Sequence, residues 1–250
     1  MNVLGFGLAA VIGLALGLLG GGGSILTIPV LVYVLHYSMQ QAAPMSLVVV
    51  GVTSVVGAIN HHRAGNIRWN TALAFVPAAV LGAFAGARLS AAVPSRVRMM
   101  IFAGLMLAAA VSMFFGPALW NRGGDDVPRT SRPWWVLAGL GMLVGAITGL
   151  VGVGGGFMYV PALALLGGLA MRQAVGTSLV LIVASCVSGL LGYAGRVEFD
   201  WPAIAGFTSL AVVGVLIGSR LAARVSPTGL RRGFAVLLII LGLAVMIRPR

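Results

Sequence analysis

Residues 13–29 read GLALGLLGGGGSILTIP, and residues 145–161 read GAITGLVGVGGGFMYVP. Gly13, Gly17, Leu18, Gly20, Gly22, Gly23 and Pro29 return as Gly145, Gly149, Leu150, Gly152, Gly154, Gly155 and Pro161, each 132 positions later. The echo continues at that offset. Gln41-Ala42 and Ser46-Leu47-Val48 return as Gln173-Ala174 and Ser178-Leu179-Val180, Gly57 as Gly189, and Gly86-Ala87-Arg88-Leu89 as Gly218-Ser219-Arg220-Leu221. Two apolar halves, each with a glycine break in its first segment, form the pattern of a membrane carrier built from repeats. In such carriers the binding site lies between the halves.

Working outward, the whole chain has the same character. Of 250 residues, 60% are hydrophobic and 8% charged. A soluble domain of this size has too little polar surface here to cover itself. The apolar runs approach the ~20 residues that cross a bilayer as helix. All 16 basic residues are Arg, and the net charge is +12. That excess is explained by Arg at helix ends, where it orients spans and meets headgroups, rather than by nucleic acid. One cysteine, Cys186, allows neither an intrachain disulfide nor a metal-ligand spacing. The first basic residue is Arg63, so residues 3–19 lack the charged start of a cleaved signal and read as part of the mature fold.

Each half divides into four hydrophobic blocks: about 2–37, 42–62, 70–92 and 97–118, then 134–168, 173–194, 201–223 and 230–247. The expected fold is an all-α integral membrane protein with two homologous repeats, 1–119 and 134–250. They are joined by a polar linker, 120–133, that holds Asp125, Asp126, Pro128 and Pro133. The first block of each half is too long for one straight crossing, and glycines at 20–23 and 152–156 interrupt it. Each glycine costs about 1 kcal/mol in a helix interior relative to alanine, so a run of them breaks the helix. Non-helical backbone at membrane depth must face protein or a water-filled cavity. If each half crosses an odd number of times, ten Arg fall on one face and six on the other. The positive-inside preference then places the linker in the cytoplasm and both termini outside, with the halves inverted.

Gly20 to Gly23 with Ser24, and Gly152 to Gly156, each precede a new apolar helix. A helix N-terminus offers free N–H groups and partial positive charge to an anion, and glycine lets a ligand approach closely. Gly22, Gly23, Ser24, Gly154, Gly155 and Gly156 are therefore candidate substrate-binding residues. Close helix packing is the competing explanation. Ser46, Thr177 and Ser178 are candidate hydroxyl donors, against the common alternative of a hydroxyl bonded to its own helix. Gln41, Gln173, Arg88 and Arg220 recur in pairs and are possible contributors; capping suits the glutamines and interfacial snorkelling the arginines. Thr53, Ser54, Ser185 and Ser188 add hydroxyls within the spans. All four carboxylates, Asp125, Asp126, Glu198 and Asp200, lie between blocks, whereas pumps commonly keep one inside a span. Neither a nucleophile–base pair nor a metal cluster is present, so the chain reads as neither enzyme nor metalloprotein, and no cofactor is expected.

The paired glycine breaks ending in Pro29 and Pro161, Gln173-Ala-Val-Gly-Thr-Ser178, Gly195-Arg-Val197 and Gly218-Ser-Arg-Leu221 resemble the TauE/SafE sulfite exporter family along essentially the whole chain. The resemblance implies a transporter of the bacterial inner membrane for small sulfur-containing anions such as sulfite, sulfoacetate or related organosulfonates. Its partners would be that anion and the bilayer, with a homo-oligomer possible and no nucleic acid. Pro44-Met45 stands where the second half has Gly176-Thr177, so the two halves would contribute unequally. An anion importer coupled to an ion gradient, and a non-transporting assembly component, remain open as alternatives.

Overall fold

The computed structural model describes residues 3–19, 24–115, 134–163, 167–195, 197, 199–221, 236, 239–240 and 242–243. The expected linker and the first glycine run lie outside them. Within the described residues the elements are helical: α1 (Val3–Leu19), α2 (Ser24–Pro29) continued by a π-helical turn over Val30–Val34, α3 (Met39–Arg63), α4 (Trp69–Leu89), α5 (Ser95–Phe115), α6 (Trp134–Val151), α7 (Gly156–Pro161), α8 (Met171–Tyr193) and α9 (Trp201–Leu221). Four of them, α3, α4, α8 and α9, are long and apolar enough to cross a membrane. Their outward faces are apolar, with Leu73 67% exposed and Leu191 60%. Trp69, Trp135 and Trp201, all exposed, stand at the starts of α4, α6 and α9, where an amphipathic ring suits the headgroup level.

Two helix pairs are held by small residues. In α4 and α6, a side chain at Gly86 would overlap the Ala146 carbonyl, one at Gly145 the Ala79 carbonyl and one at Gly149 the Ala83 carbonyl. In α1 and α9, Gly13 lies against Ala211, Gly214 against Ala10 and Gly218 against Leu14. Lipid tails are as apolar as leucine, so close backbone approach and dispersion are what hold such pairs. One turn further along both helices of each pair the contact repeats, from Ala79–Gly145 to Ala83–Gly149 and from Ala10–Gly214 to Leu14–Gly218, so the helices run parallel. The pair α3 and α8 is different. Gly189 meets Leu47, Gly51 meets Cys186 and Gly57 meets Leu179, so one number falls as the other rises and these two are antiparallel.

The second glycine run is a turn. Gly152 N–H donates to the Thr148 carbonyl at 2.7 Å, which closes the end of α6 in the manner of a glycine C-cap. Gly152, Gly154 and Gly155 have φ of +82°, +75° and +69°. Helix α7 then turns back along α8, where its Tyr159 hydroxyl lies 2.7 Å from Ser185 Oγ. Buried apolar residues gather in two clusters. One joins α1, α2, α5 and the start of α9, with Ile12, Ile28, Phe102 and Phe207; the other joins α3, α4, α7 and α8, with Leu47, Phe75, Tyr159 and Ile182.

Candidate functional site

The second glycine run is the centre of the described site. Gly152 to Gly155 are buried and lie beside α3. A Cβ on Gly152 would meet Ala43, and one on Gly154 would meet Val50 and the Cys186 thiol. Ser46 on α3 ties this turn down: its hydroxyl donates to the Gly152 carbonyl and also lies 2.9 Å from the Ala43 carbonyl. A residue of the first half thus holds the break of the second. The Gly155 carbonyl accepts from the N–H groups of Met158 and Tyr159 at 3.0 and 3.1 Å. Among the described residues no partner is found for the N–H groups of Gly154 and Gly155. Buried N–H groups are nearly always paired, which makes these two the candidate donors of the turn.

The remaining candidates divide. Thr177 and Ser178 are buried in the second turn of α8. Thr177 Oγ1 accepts from the Arg68 N–H at 3.0 Å, joining the α3–α4 loop to α8 and leaving the hydroxyl proton to donate elsewhere. Ser178 donates to its own helix at the Val175 carbonyl, 2.8 Å away. Thr53 does the same at the Val49 and Val50 carbonyls. Gln41 is exposed in the cap of α3, where Ser38 Oγ donates to its Oε1 at 3.0 Å. Gln173 is half-buried in the first turn of α8. Arg88 is exposed and its guanidinium stands 5.2 Å from the centre of the Phe84 ring. Arg220 is exposed in the last turn of α9, an end that favours positive charge. Ser24 opens α2 and Gly156 opens α7; Gly22 and Gly23 lie outside the described residues.

Tyr193 carries no signal in the sequence, whereas Ser54 and Ser188 are among the hydroxyls placed within spans. Tyr193 donates to the Gly149 carbonyl at 3.0 Å, and Ser188 to the Val80 carbonyl at 2.6 Å. Thr27 Oγ1, Ser54 Oγ and Thr208 Oγ1 are buried without a partner among the described residues. A cavity of about 580 Å³ is lined by Val34, Leu35, His36, Tyr37, Asp200, Pro202 and Ala203, and it includes none of the residues nominated from the sequence. Tyr37 donates to Asp200 Oδ2 at 2.6 Å there, and Asp200 Oδ1 accepts from the Ala203 N–H at 3.1 Å. Burial and the Asp200 carboxylate push the Tyr37 hydroxyl up to about 12, while the Tyr37 and Ala203 hydrogen bonds hold Asp200 below the usual carboxylate value. No group of three or more His, Cys, Asp or Glu capable of holding a metal occurs among the described residues.

Apolar helices of membrane length, with a helix broken by a buried glycine turn, are the architecture expected of a membrane carrier. The profile of the family described as "Sulfite exporter TauE/SafE" matches residues 5–245. The chain belongs to the TauE/SafE family. A "probable membrane transporter protein" of Xylella fastidiosa (strain Temecula1) is 31% identical, over 98% of this chain and 95% of its own. Proteins described in the same words from Haemophilus influenzae (strain ATCC 51907 / DSM 11121 / KW20 / Rd) and Bacillus subtilis (strain 168) are 26% and 25% identical, over 96% and 84% of this chain and 96% and 85% of their own. No solved structure matches the chain. As a TauE/SafE protein with several apolar helices it is a multi-pass membrane transporter, and that role requires no catalytic group.

Proposed function

We propose that this TauE/SafE protein exports a small sulfur-containing oxyanion, such as sulfite, sulfoacetate or a related organosulfonate, across the bacterial inner membrane. The observation that carries this reading is the family match over residues 5–245. The chemistry that supports this reading is the pair of Gly154 and Gly155 N–H groups, which bond no backbone carbonyl among the described residues and suit an oxyanion; the Ser46 hydroxyl serves the turn itself through the Gly152 carbonyl, and the Thr177 hydroxyl stands apart, against Arg68 at the far end of α3. In the same reading Gly22, Gly23 and Ser24 supply the matching surface of the first half, with Gly156 and Ser178 completing the second. Gln41, Gln173, Arg88 and Arg220 stand outside this inner set.

Direction follows from energetics. A potential of ~100 mV, negative inside, favours outward movement of one negative charge by about 2.3 kcal/mol. That is roughly fifty-fold in concentration ratio. Export therefore needs no coupling carboxylate in a span, and the sequence carries its four acidic residues between the blocks. The architecture in this reading is a pair of inverted repeats, 1–119 and 134–250. Its support is that α1, α2, α3, α4 and their counterparts α6, α7, α8, α9 begin at positions close to the repeat offset. The antiparallel α3–α8 pair and the parallel α1–α9 and α4–α6 pairs are what a two-fold axis in the membrane plane produces.

The test is flux. Purified protein in vesicles loaded with sulfite, with a potassium diffusion potential set negative inside, is expected to release the anion faster than protein-free vesicles. Reversing the potential is expected to slow it. Absence of flux for sulfite, sulfoacetate and taurine alike would overturn the proposal, and uptake that collapses with a cation gradient would replace export by coupled import.

A further inference from the structure

One arginine is buried without a carboxylate beside it among the described residues. Arg98 lies in the first turn of α5 and is 3% exposed. Its Nη2 donates to Ser95 Oγ at 3.2 Å, and its Nε is buried with no partner among the described residues. Helical side chains lean toward the N-terminus, and the reach from Arg98 to Ser95 places the guanidinium over the first turn. That end of a helix already carries partial positive charge. The first turn of α5 contains no acidic residue, and Arg98 pairs with no carboxylate among the described residues. Asp200, the described carboxylate, is engaged by Tyr37 and Ala203. A guanidinium has five donors in a fixed fork and stays charged in proteins. Removed from water, it needs a counter-charge.

We infer that Arg98 and Ser95, at the N-terminus of α5, form a binding site for a tetrahedral oxyanion of the sulfate or phosphate type. The guanidinium fork meets two oxygens of such a group, the Ser95 hydroxyl turns its proton to a third, and the N–H groups of Ser95 and Arg96 lie alongside, those of Val97 and Arg98 being bonded to the Pro94 carbonyl. The anion is either a free ion or the phosphate of an anionic lipid. Both have the same chemistry at the guanidinium. The site does not depend on what the protein carries, since Arg98 belongs to α5 and the glycine turn is held by α3 and α8.

The experiment is a thermal-unfolding titration of the full chain in a neutral detergent, with sodium sulfate against sodium chloride at equal ionic strength, and separately with phosphatidylglycerol against phosphatidylcholine. The wild type is expected to show a saturable stabilisation specific to sulfate, to phosphatidylglycerol or to both. Arg98→Gln is expected to raise the half-saturating concentration at least tenfold, Arg98→Lys less, and Ser95→Ala about threefold. A response to sulfate identifies a free ion, and a response to phosphatidylglycerol alone identifies a headgroup; either upholds the site. If Arg98→Gln is not monodisperse, the Ser95→Ala titration decides, because it keeps the charge and removes one ligand. Unchanged half-saturation in the variants, or no specific shift in the wild type, overturns the inference. Flux measured on the same preparations separates this result from the fate of the export reading.

Discussion

Gly155 concentrates two demands on one residue. Its φ of +69° is a conformation that costs an L-residue about 1–2 kcal/mol. In addition, a Cβ there would overlap Thr148 Oγ1, whose hydroxyl already donates to the Val144 carbonyl at 2.6 Å. Gly168, with φ of +63°, faces open space. Gly155→Ala is therefore expected to lower the melting temperature in detergent more than Gly168→Ala, which pays the backbone term alone; equal shifts would remove the packing half of the explanation. Ser46 and Ser178 occupy equivalent sequence positions with different partners. Ser46→Ala strips the Gly152 carbonyl of its donor from α3, whereas Ser178→Ala frees only a carbonyl of its own helix. Hydrogen bonds between membrane helices are worth about 1 kcal/mol, so Ser46→Ala is expected to destabilise by roughly that amount and Ser178→Ala by clearly less. The Tyr37–Asp200 pair predicts a pH response. A tyrosine whose value is raised from 10.0 to about 12 stabilises the fold below pH 10 and loses that contribution as pH rises through about 12. Asp200, lowered from 3.8, contributes above that value and loses its contribution as pH falls below it. Tyr37→Phe should flatten the alkaline limb of a melting profile and weaken the acid one, and a profile identical to wild type would show that the contact does not stabilise.

At the scale of elements, the recurring glycines divide into two kinds. Gly13, Gly86, Gly145, Gly149 and Gly218 sit where helices α1 and α9, or α4 and α6, touch backbone to backbone. Gly152, Gly154 and Gly155 end a helix and begin a turn. The first kind fixes which helices are neighbours. A side chain at Gly149 would occupy the space of the Ala83 carbonyl, while Gly139, on the same helix, has nothing within 4 Å. Gly149→Val is expected to reduce the yield of monodisperse protein several-fold and Gly139→Val to leave it near wild type, read by size-exclusion chromatography of a fluorescent fusion. Comparable yields would mean that α6 is held on α4 by something other than close approach. The repeat alone could not separate these two roles, because both demand glycine and both recur at the same offset.

For the whole molecule, the inverted arrangement proposed above makes a directional prediction. The linker and the C-terminus should lie on opposite sides, with the Arg-rich linker side in the cytoplasm. A reporter inserted at Gly124 is expected to be active as a cytoplasmic fusion, and one after Arg250 as an external fusion. The same compartment for both would reinstate an even number of crossings in each half. Part of the fold was legible from spacing: α9 falls within its hydropathy block, α3, α4 and α8 overlap theirs but begin one to three residues earlier, and the second break falls at Gly152, where glycines accumulate. The partners of the hydroxyls were not legible, since Ser46, Thr53 and Ser178 look alike in sequence and only one of them bonds another half of the chain.

The sequence by itself determined the class of molecule, the approximate positions of the described membrane-length helices, the 132-residue recurrence of its motifs and the family. These follow from local composition and from a pattern that survives in one dimension. The tertiary structure decided which helices are neighbours, that Ser46 on α3 fastens the glycine turn after α6, and that Arg98 is buried rather than lying at the interface. Each of these depends on which residues distant in sequence come within a few ångströms of one another, and a helix at membrane depth is apolar on most of its faces, so its sequence does not announce which face will meet protein and which will meet lipid.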